Sequence, residues 1–151
     1  CKKLSGTNTN VKTSMIWGTQ YDQVMKWLIR TGEKTPLDID EGSVAWGNYL
    51  DAEFEYYTNT SKTTATKNLG NYTRIASGAY EGAKANNIYD LAGNVSLWTL
   101  EANRSGSSSY RYGRGGSYSN YGTDIYASFR FNDGSCVNYD NIGFGGTFYI
   151  K

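Results

Sequence analysis

The chain offers few starting points for chemistry. It holds two cysteines, Cys1 and Cys136, and no histidine. Without histidine the commonest general base and the Ser-His-Asp arrangement are missing, and two thiols fall short of the four ligands of a structural zinc site. A Cys1–Cys136 disulfide is one use for the pair, which spacing alone does not decide. "GRGGSY" has the glycines of a phosphate loop but lacks its Lys-Ser/Thr pair and a following helix, so it reads as a tight turn between strands. "YRYGRGG" interleaves basic and aromatic residues as single-strand nucleic-acid binders do. The surrounding chain is not basic and Asp124, Asp133 and Asp140 oppose it, so Arg111 and Arg114 read as structural, paired to carbonyls or carboxylates. "FNDGS" and "NYDN" carry the oxygens of a calcium site, yet Asn-Asp-Gly is first a turn sequence. No cofactor is expected.

The remaining chemistry is that of contact. From Asn103 to Asn141 the chain uses Tyr, Phe, Ser, Asn, Asp and Gly freely and contains no Lys, Glu, Gln, Met or Trp. Recurring aromatics argue against disorder. Tyr, Ser, Gly and Asn are the residues of binding loops, combining rigid aromatic area with adaptable hydrogen bonding. Of the four tryptophans, Trp98 and Trp27 are expected to be buried, and Trp46, in the polar stretch "SVAWGNY", is a weak binding candidate.

These residues need a scaffold. With 151 residues the chain fits one domain with a single core. A net charge of +1 gives no reason to expect nucleic acid, and no apolar run is long enough to insert into a membrane. Tyr21, Val24, Met25 and Leu28 mark one face of a helix over 19–30, with Thr19 as its cap, Asp22 completing a capping box, and Gly32 as its stop. From Thr31 to Lys84 the pattern dissolves into long irregular excursions with short strands. Strands follow: "VSLWTLEA", alternating Val95, Leu97 and Thr99 against Ser96, Trp98 and Leu100; one near Tyr110–Tyr112; "YASFRF"; and a closing "GTFYIK". The class is α+β with an antiparallel sheet. "CKKLSG" reads as the last turn of a helix closed by Gly6, so the numbering starts inside a longer chain; a lipidated Cys1 is the other reading.

Four segments then line up. "IWGTQYDQVMKWL", "NIYDLAGNVSLWT", "RGGSY", and a later Arg with "IGF" resemble, in order and spacing, the formylglycine-generating enzyme (sulfatase-modifying) family. The resemblance spans most of the chain. It implies a C-type lectin-like fold: helices on a small twisted antiparallel sheet with long irregular loops, here the C-terminal portion of a longer protein. In those enzymes two cysteines shortly after "GGSY" bind copper and perform oxidation; counted from Tyr118, their places hold Asn120 and Ile125. Neither can serve as a thiolate. At the family's calcium site Asp90 and the carbonyls of Gly93 and Val95 remain, while Leu97 replaces the acidic residue, and Gly145 replaces the Arg of "IGFR". A formylglycine-generating oxidase is therefore a poor reading.

The chain also resembles the variable proteins of diversity-generating retroelements, non-catalytic C-type lectin-like proteins. Adenine-directed rewriting of AAY codons in their last part cannot yield Lys, Glu, Gln, Met or Trp. That resemblance makes 103–141 a candidate variable region. It implies that Tyr112, Ser117, Ser119, Asn120, Tyr121, Asp124, Ile125, Phe129, Phe131, Asn132, Asp133, Ser135, Asn138 and Asp140 form a ligand-binding face. Gly115, Gly116, Tyr118, Arg130, Gly143 and Phe144 would hold the backbone, with Phe129 equally placed for the core. The expected partner is a protein or a surface glycan, met at a cell surface, in secreted form or on a phage virion. A carbohydrate-binding lectin-like domain is the alternative.

Overall fold

A computed structural model describes residues 6–7, 10–105, 108–134 and 139–150. In chain order the elements are β1 (Val11–Met15), α1 (Gly18–Arg30), α2 (Pro36–Asp40), β2 (Phe54–Tyr57), β3 (Thr64–Lys67), β4 (Lys84–Ala85), β5 (Ile88–Tyr89), β6 (Ser96–Ser105), β7 (Ser108–Arg114), β8 (Arg130–Gly134), β9 (Ile142–Phe144) and β10 (Gly146–Ile150). Among the described residues the largest sheet has the order β8-β7-β6-β9, and three two-stranded sheets accompany it. One pair departs from the antiparallel expectation: β6 and β9 run parallel, Ser96 facing Ile142 and Trp98 facing Phe144. β1 pairs antiparallel with β10, joining the two ends of the described chain. The C-terminal strand was expected; its N-terminal partner was not.

Helix α1 follows its sequence pattern. Tyr21, Met25 and Leu28 are buried and Val24 half-buried. Its start differs. Gly18 opens the helix, and the Gln20 side chain reaches back to accept from the Trp17 backbone N–H at 2.9 Å. Thr19 lies inside the first turn and caps nothing, and Asp22 is diverted to an ion pair with Arg114, 2.6 Å away. Gly32 ends the helix with a φ of +75°, a conformation glycine adopts without strain.

The stretch from Thr31 onward holds more order than its composition suggests. The short α2 has a full capping box: Thr35 accepts from the Asp38 N–H and Asp38 accepts from the Thr35 N–H at 2.7 Å. Trp46 is buried, its indole N–H donating to the Asp38 carbonyl at 2.8 Å and Lys34 lying over its ring. It is a core residue, not a binding one. Trp27 reverses its expectation too. It points off the buried face of α1 and is 42% exposed, while Trp98 is half-buried.

The "LAGN" turn is held by a polar core. The Asn48 side-chain amide donates to the Thr73 carbonyl and to Asn94 Oδ1. Asn94 Oδ1 also accepts from the Ile75 N–H, and Asn94 Nδ2 donates to the Ile75 carbonyl. Buried amide groups cost their desolvation unless paired; Asn48 Nδ2, Asn94 Oδ1 and Asn94 Nδ2 are paired and fix the turn, while among the described residues Asn48 Oδ1 has no partner. Gly93 sits at φ +71° with Asn48 O only 2.2 Å from where a Cβ would stand. The signature's glycine thus serves a close backbone approach.

Two expected local structures move. "YASFRF" is a turn over its first part, and its strand starts only at Arg130. Tertiary bonds decide this: the Ala127 N–H donates to Ser43 Oγ and the Ala127 carbonyl accepts from the Tyr21 hydroxyl. "FNDG", expected as a turn, is the body of β8, paired with β7 from Tyr110↔Gly134 to Gly113↔Phe131. A register shift between Trp98 and Ala102 also breaks the alternation of β6, so Ser96 and Thr99 are buried instead of one clean face.

Candidate functional site

The edge strand β8 and two loops, 117–125 and 139–142, meet over one end of the large sheet. Between them lies a cleft of about 240 Å³ lined by Ser96, Asn120, Ile125, Phe129, Phe131, Asp133, Tyr139, Asn141 and Ile142. Five of the fourteen residues expected at the face therefore share one cavity.

Pleating explains which residues of β8 enter it. Phe131 and Asp133 project to one side, and Arg130 and Asn132 to the other. Phe131 crosses over Gly113, where a Cβ would stand 2.1 Å from the ring, and reaches Trp98 with centroids 6.1 Å apart. Phe129 packs against Phe131 at 6.4 Å and 26° and against Tyr126 edge-on. On the opposite side Arg130 stacks over Tyr112 at 3.5 Å and pairs with Glu101. Tyr112 and Asn132, paired across β7 and β8, are thus turned away from the cleft.

The loop 117–125 is anchored from within. Ser117 is fully buried; its N–H and hydroxyl both donate to Asn120 Oδ1, at 3.0 and 2.7 Å. Asn141 Nδ2 donates to Ser119 Oγ at 3.0 Å. The main chain is tied down by Leu50 N–H to Asn120 O, Tyr118 N–H to Asn94 O, and Gly122 N–H to the Asp51 carboxylate. Gly116 lets this loop close, because a Cβ there would meet Ile125 O at 2.4 Å and the Tyr49 ring at 2.5 Å. Ser117 is therefore an anchor and not a contact residue. Tyr121, Asp124 and Asp140 are exposed outside the cleft, and Ser119 is half-buried beside it. Ser135 and Asn138 lie outside the described residues, as do Cys1, Cys136 and most of the "CKKLSG" segment.

The residues that hold the backbone are also partly different. Gly115, Gly116 and Gly143 are closely packed, and Tyr118 ties its loop to Asn94. Arg130 and Phe144, however, are exposed. Arg114 takes the structural role: buried, it pairs with Asp22 and lies over the Tyr21 ring at 5.6 Å. The Tyr21 hydroxyl lies within 2.9 Å of the carbonyls of both Leu91 and Ala127, and burial pushes its pKa far above the ordinary phenol value. Arg111 donates to the Leu100 carbonyl, so both arginines of "YRYGR" are structural. Ser96, Tyr139, Asn141 and Ile142 line the cleft without having been among the expected residues. Tyr139 and Asn141 lay within the restricted alphabet and were legible there. Ser96 and Ile142 become neighbours only through the parallel β6–β9 pair.

Electrostatically the cleft leans negative. Among the described residues Asp133 is the one charged residue in its lining, with Oδ1 accepting from the Gly134 N–H. The carboxylate beside the Tyr139 hydroxyl raises that phenol's pKa. At the family's calcium position the donors do not suffice. Asp90 Oδ2 is taken by the Ser77 hydroxyl and the Gly78 N–H, one buried oxygen remains, and Leu97 brings none. With the Gly93 and Val95 carbonyls this gives about three oxygens where calcium takes six to eight. At the places of the copper-binding thiols stand Asn120 and Ile125, both in the wall of the cleft.

A family profile, the Sulfatase-modifying factor enzyme 1-like domain, matches residues 19–145. Among solved structures, Treponema denticola variable protein 1 is similar in fold, with a TM-score of 0.55 and 16% sequence identity over 93% of this chain and 48% of that chain. The chain thus spans about half the length of that protein. No curated protein sequence matches.

Proposed function

Because the chain belongs to the sulfatase-modifying factor enzyme 1-like domain family, we propose that it is a ligand-binding member without oxidase chemistry, its C-terminal face diversified by a retroelement. The observation that carries this reading is the cleft itself. It occupies the place of the enzymes' thiol pair, and Asn120 and Ile125 build its wall together with Phe129, Phe131 and Asp133. A cleft with aromatic walls and a few oriented polar groups is a binding site; with Asn120 and Ile125 at the places of the thiol pair, the family's oxidation lacks its nucleophile there.

The division of labour supports diversification. Within 103–141 two buried frame residues are tied to groups outside that span, Arg114 to Asp22 and Ala127 to Tyr21 and Ser43, while buried Ser117 is bonded within its own loop to Asn120. Tyr121, Asp124, Asn132 and Asp140 are exposed and free to vary without disturbing the core. The fold likeness to a protein named as variable agrees with this reading. The setting is a cell surface, a secreted protein or a phage virion.

Three experiments test it. The DNA next to the gene is expected to carry a near-repeat of the 3′ coding end, differing only where the repeat has adenine, beside a reverse transcriptase; its absence from complete flanking sequence refutes diversification. Separately, a library randomised at Tyr121, Asp124, Ile125, Phe129, Phe131, Asn132 and Asp133 is expected to keep cooperative unfolding in most members. General loss of folding refutes the face as a tolerant platform. Formylglycine produced on a sulfatase peptide by the purified protein refutes the non-catalytic assignment.

A further inference from the structure

The cleft has a chemistry of its own. Its walls include the rings of Phe129, Phe131 and Tyr139, and among the described residues its one charge is Asp133. Aromatic faces attract cations, most strongly where water is excluded, and a carboxylate beside them adds a charge-assisted acceptor. From this geometry we infer that the cleft receives a cationic side chain, the guanidinium or ammonium of an arginine or lysine presented by a partner protein. The inference rests on reading this face as a binding surface.

The surrounding charges leave that role open. Arg111 faces Asp133 across β7 and β8, but its Nη1 turns to the Leu100 carbonyl at 2.9 Å and lines a separate cleft with Met15, Trp98 and Phe144. Arg130 stands on the other side of the sheet, held by Glu101 and Tyr112. Arg114 is bound to Asp22, and Arg74 donates to the Asp140 carbonyl. Among the described residues no Lys or Arg forms an ion pair with Asp133. Asp124 and Asp140, each next in sequence to lining residues, are exposed and add negative potential.

The polar inventory favours a cation over a sugar. A sugar is read by paired donors and acceptors. Here Asn120 Oδ1 is occupied by Ser117, and Asn141 Nδ2 by Ser119, so each amide has half of its polar capacity already committed. Beside Asn120 Nδ2 and Asn141 Oδ1, the lining offers ring surface and the Asp133 carboxylate, which already accepts from the Gly134 N–H and the Tyr139 hydroxyl. The volume of about 240 Å³ corresponds to about eight waters, room for one long side chain and not for an extended chain.

The test is a set of ¹H–¹⁵N titrations of the 151-residue chain. The probes are N-acetyl-argininamide, N-acetyl-lysinamide, N-acetyl-norleucinamide and methyl α-glucoside. The two cationic probes are expected to shift the amides of 129–133 and 139–142 saturably, and to bind several-fold more weakly in Asp133→Asn and at raised salt. Phe131→Leu, which keeps apolar bulk but removes the π face, is expected to weaken the cations and leave norleucinamide unchanged. Norleucinamide binding as well as the cations, or the glucoside binding in their place, overturns the cationic assignment while leaving a binding face. Silence of every probe at these amides also overturns it, and the randomised library then decides the face separately.

Discussion

Tyr21→Phe isolates the link between the scaffold helix and the cleft. The ring is fully buried, so phenylalanine fills the same space and only the hydroxyl is lost. That hydroxyl is the shared donor to the Leu91 carbonyl at 2.9 Å and the Ala127 carbonyl at 2.8 Å. Losing a hydrogen bond costs about 1 kcal/mol, and leaving a buried carbonyl short of a donor adds about 1–3 kcal/mol. We take about 2 kcal/mol in total, roughly a thirtyfold change in the folding equilibrium. With a urea slope of about 2 kcal/mol per molar, the unfolding midpoint drops by about 1 M, read by tryptophan fluorescence. Melting falls by about 4–8 °C. Because burial holds the Tyr21 pKa far above the phenol range, the residue stays neutral, and the difference is expected to be constant from about pH 5 to 9. Ala127 lies two residues before Phe129, so the Gly115 amide, which donates to the Phe129 carbonyl, is expected to exchange faster. A midpoint shift below about 0.25 M, worth about 0.5 kcal/mol on the same slope, would refute the claim that this hydroxyl ties α1 to the site.

Two further perturbations follow from the geometry. Gly116→Ala drives a methyl against Ile125 O at 2.4 Å and the Tyr49 ring at 2.5 Å, so it is expected to cost about 1–3 kcal/mol and to move the Ile125 wall of the cleft; a variant with wild-type stability and spectrum contradicts this packing. Hydrogen bonds from the Thr35 N–H and hydroxyl hold the Asp38 pKa below its ordinary value, so its contribution is present above the unfolded pKa of about 3.9 and is lost as pH falls through the lower folded value. The stability difference between wild type and Asp38→Asn, from urea midpoints, is expected to shrink only in that acid range, and a difference independent of pH rules the capping box out.

Much of this protein is legible in its sequence. The apolar positions of α1 repeat with helical period, and three of the four, Tyr21, Met25 and Leu28, are buried as that period requires. The restricted alphabet of 103–141 pointed to the face, and Asn120, Ile125, Phe129, Phe131 and Asp133 do converge. Those signals are local, a side-chain period or a composition, and survive without knowledge of neighbours. Long-range contacts decided the rest. "NDG" has the residues of a turn, yet pairing with β7 makes it a strand, because a ladder of backbone bonds outweighs a turn preference. "YAS" alternates like a strand, yet Ser43 and Tyr21 hold Ala127 in a turn. The pleat then divided a run of candidates in two, sending Phe131 and Asp133 into the cleft and Asn132 away from it, a choice of phase that no residue type encodes. Ser96 and Ile142 joined the site only through a parallel pairing between segments far apart in the chain. Composition thus determined which residue types this face offers, and tertiary register determined which of those side chains share the cleft.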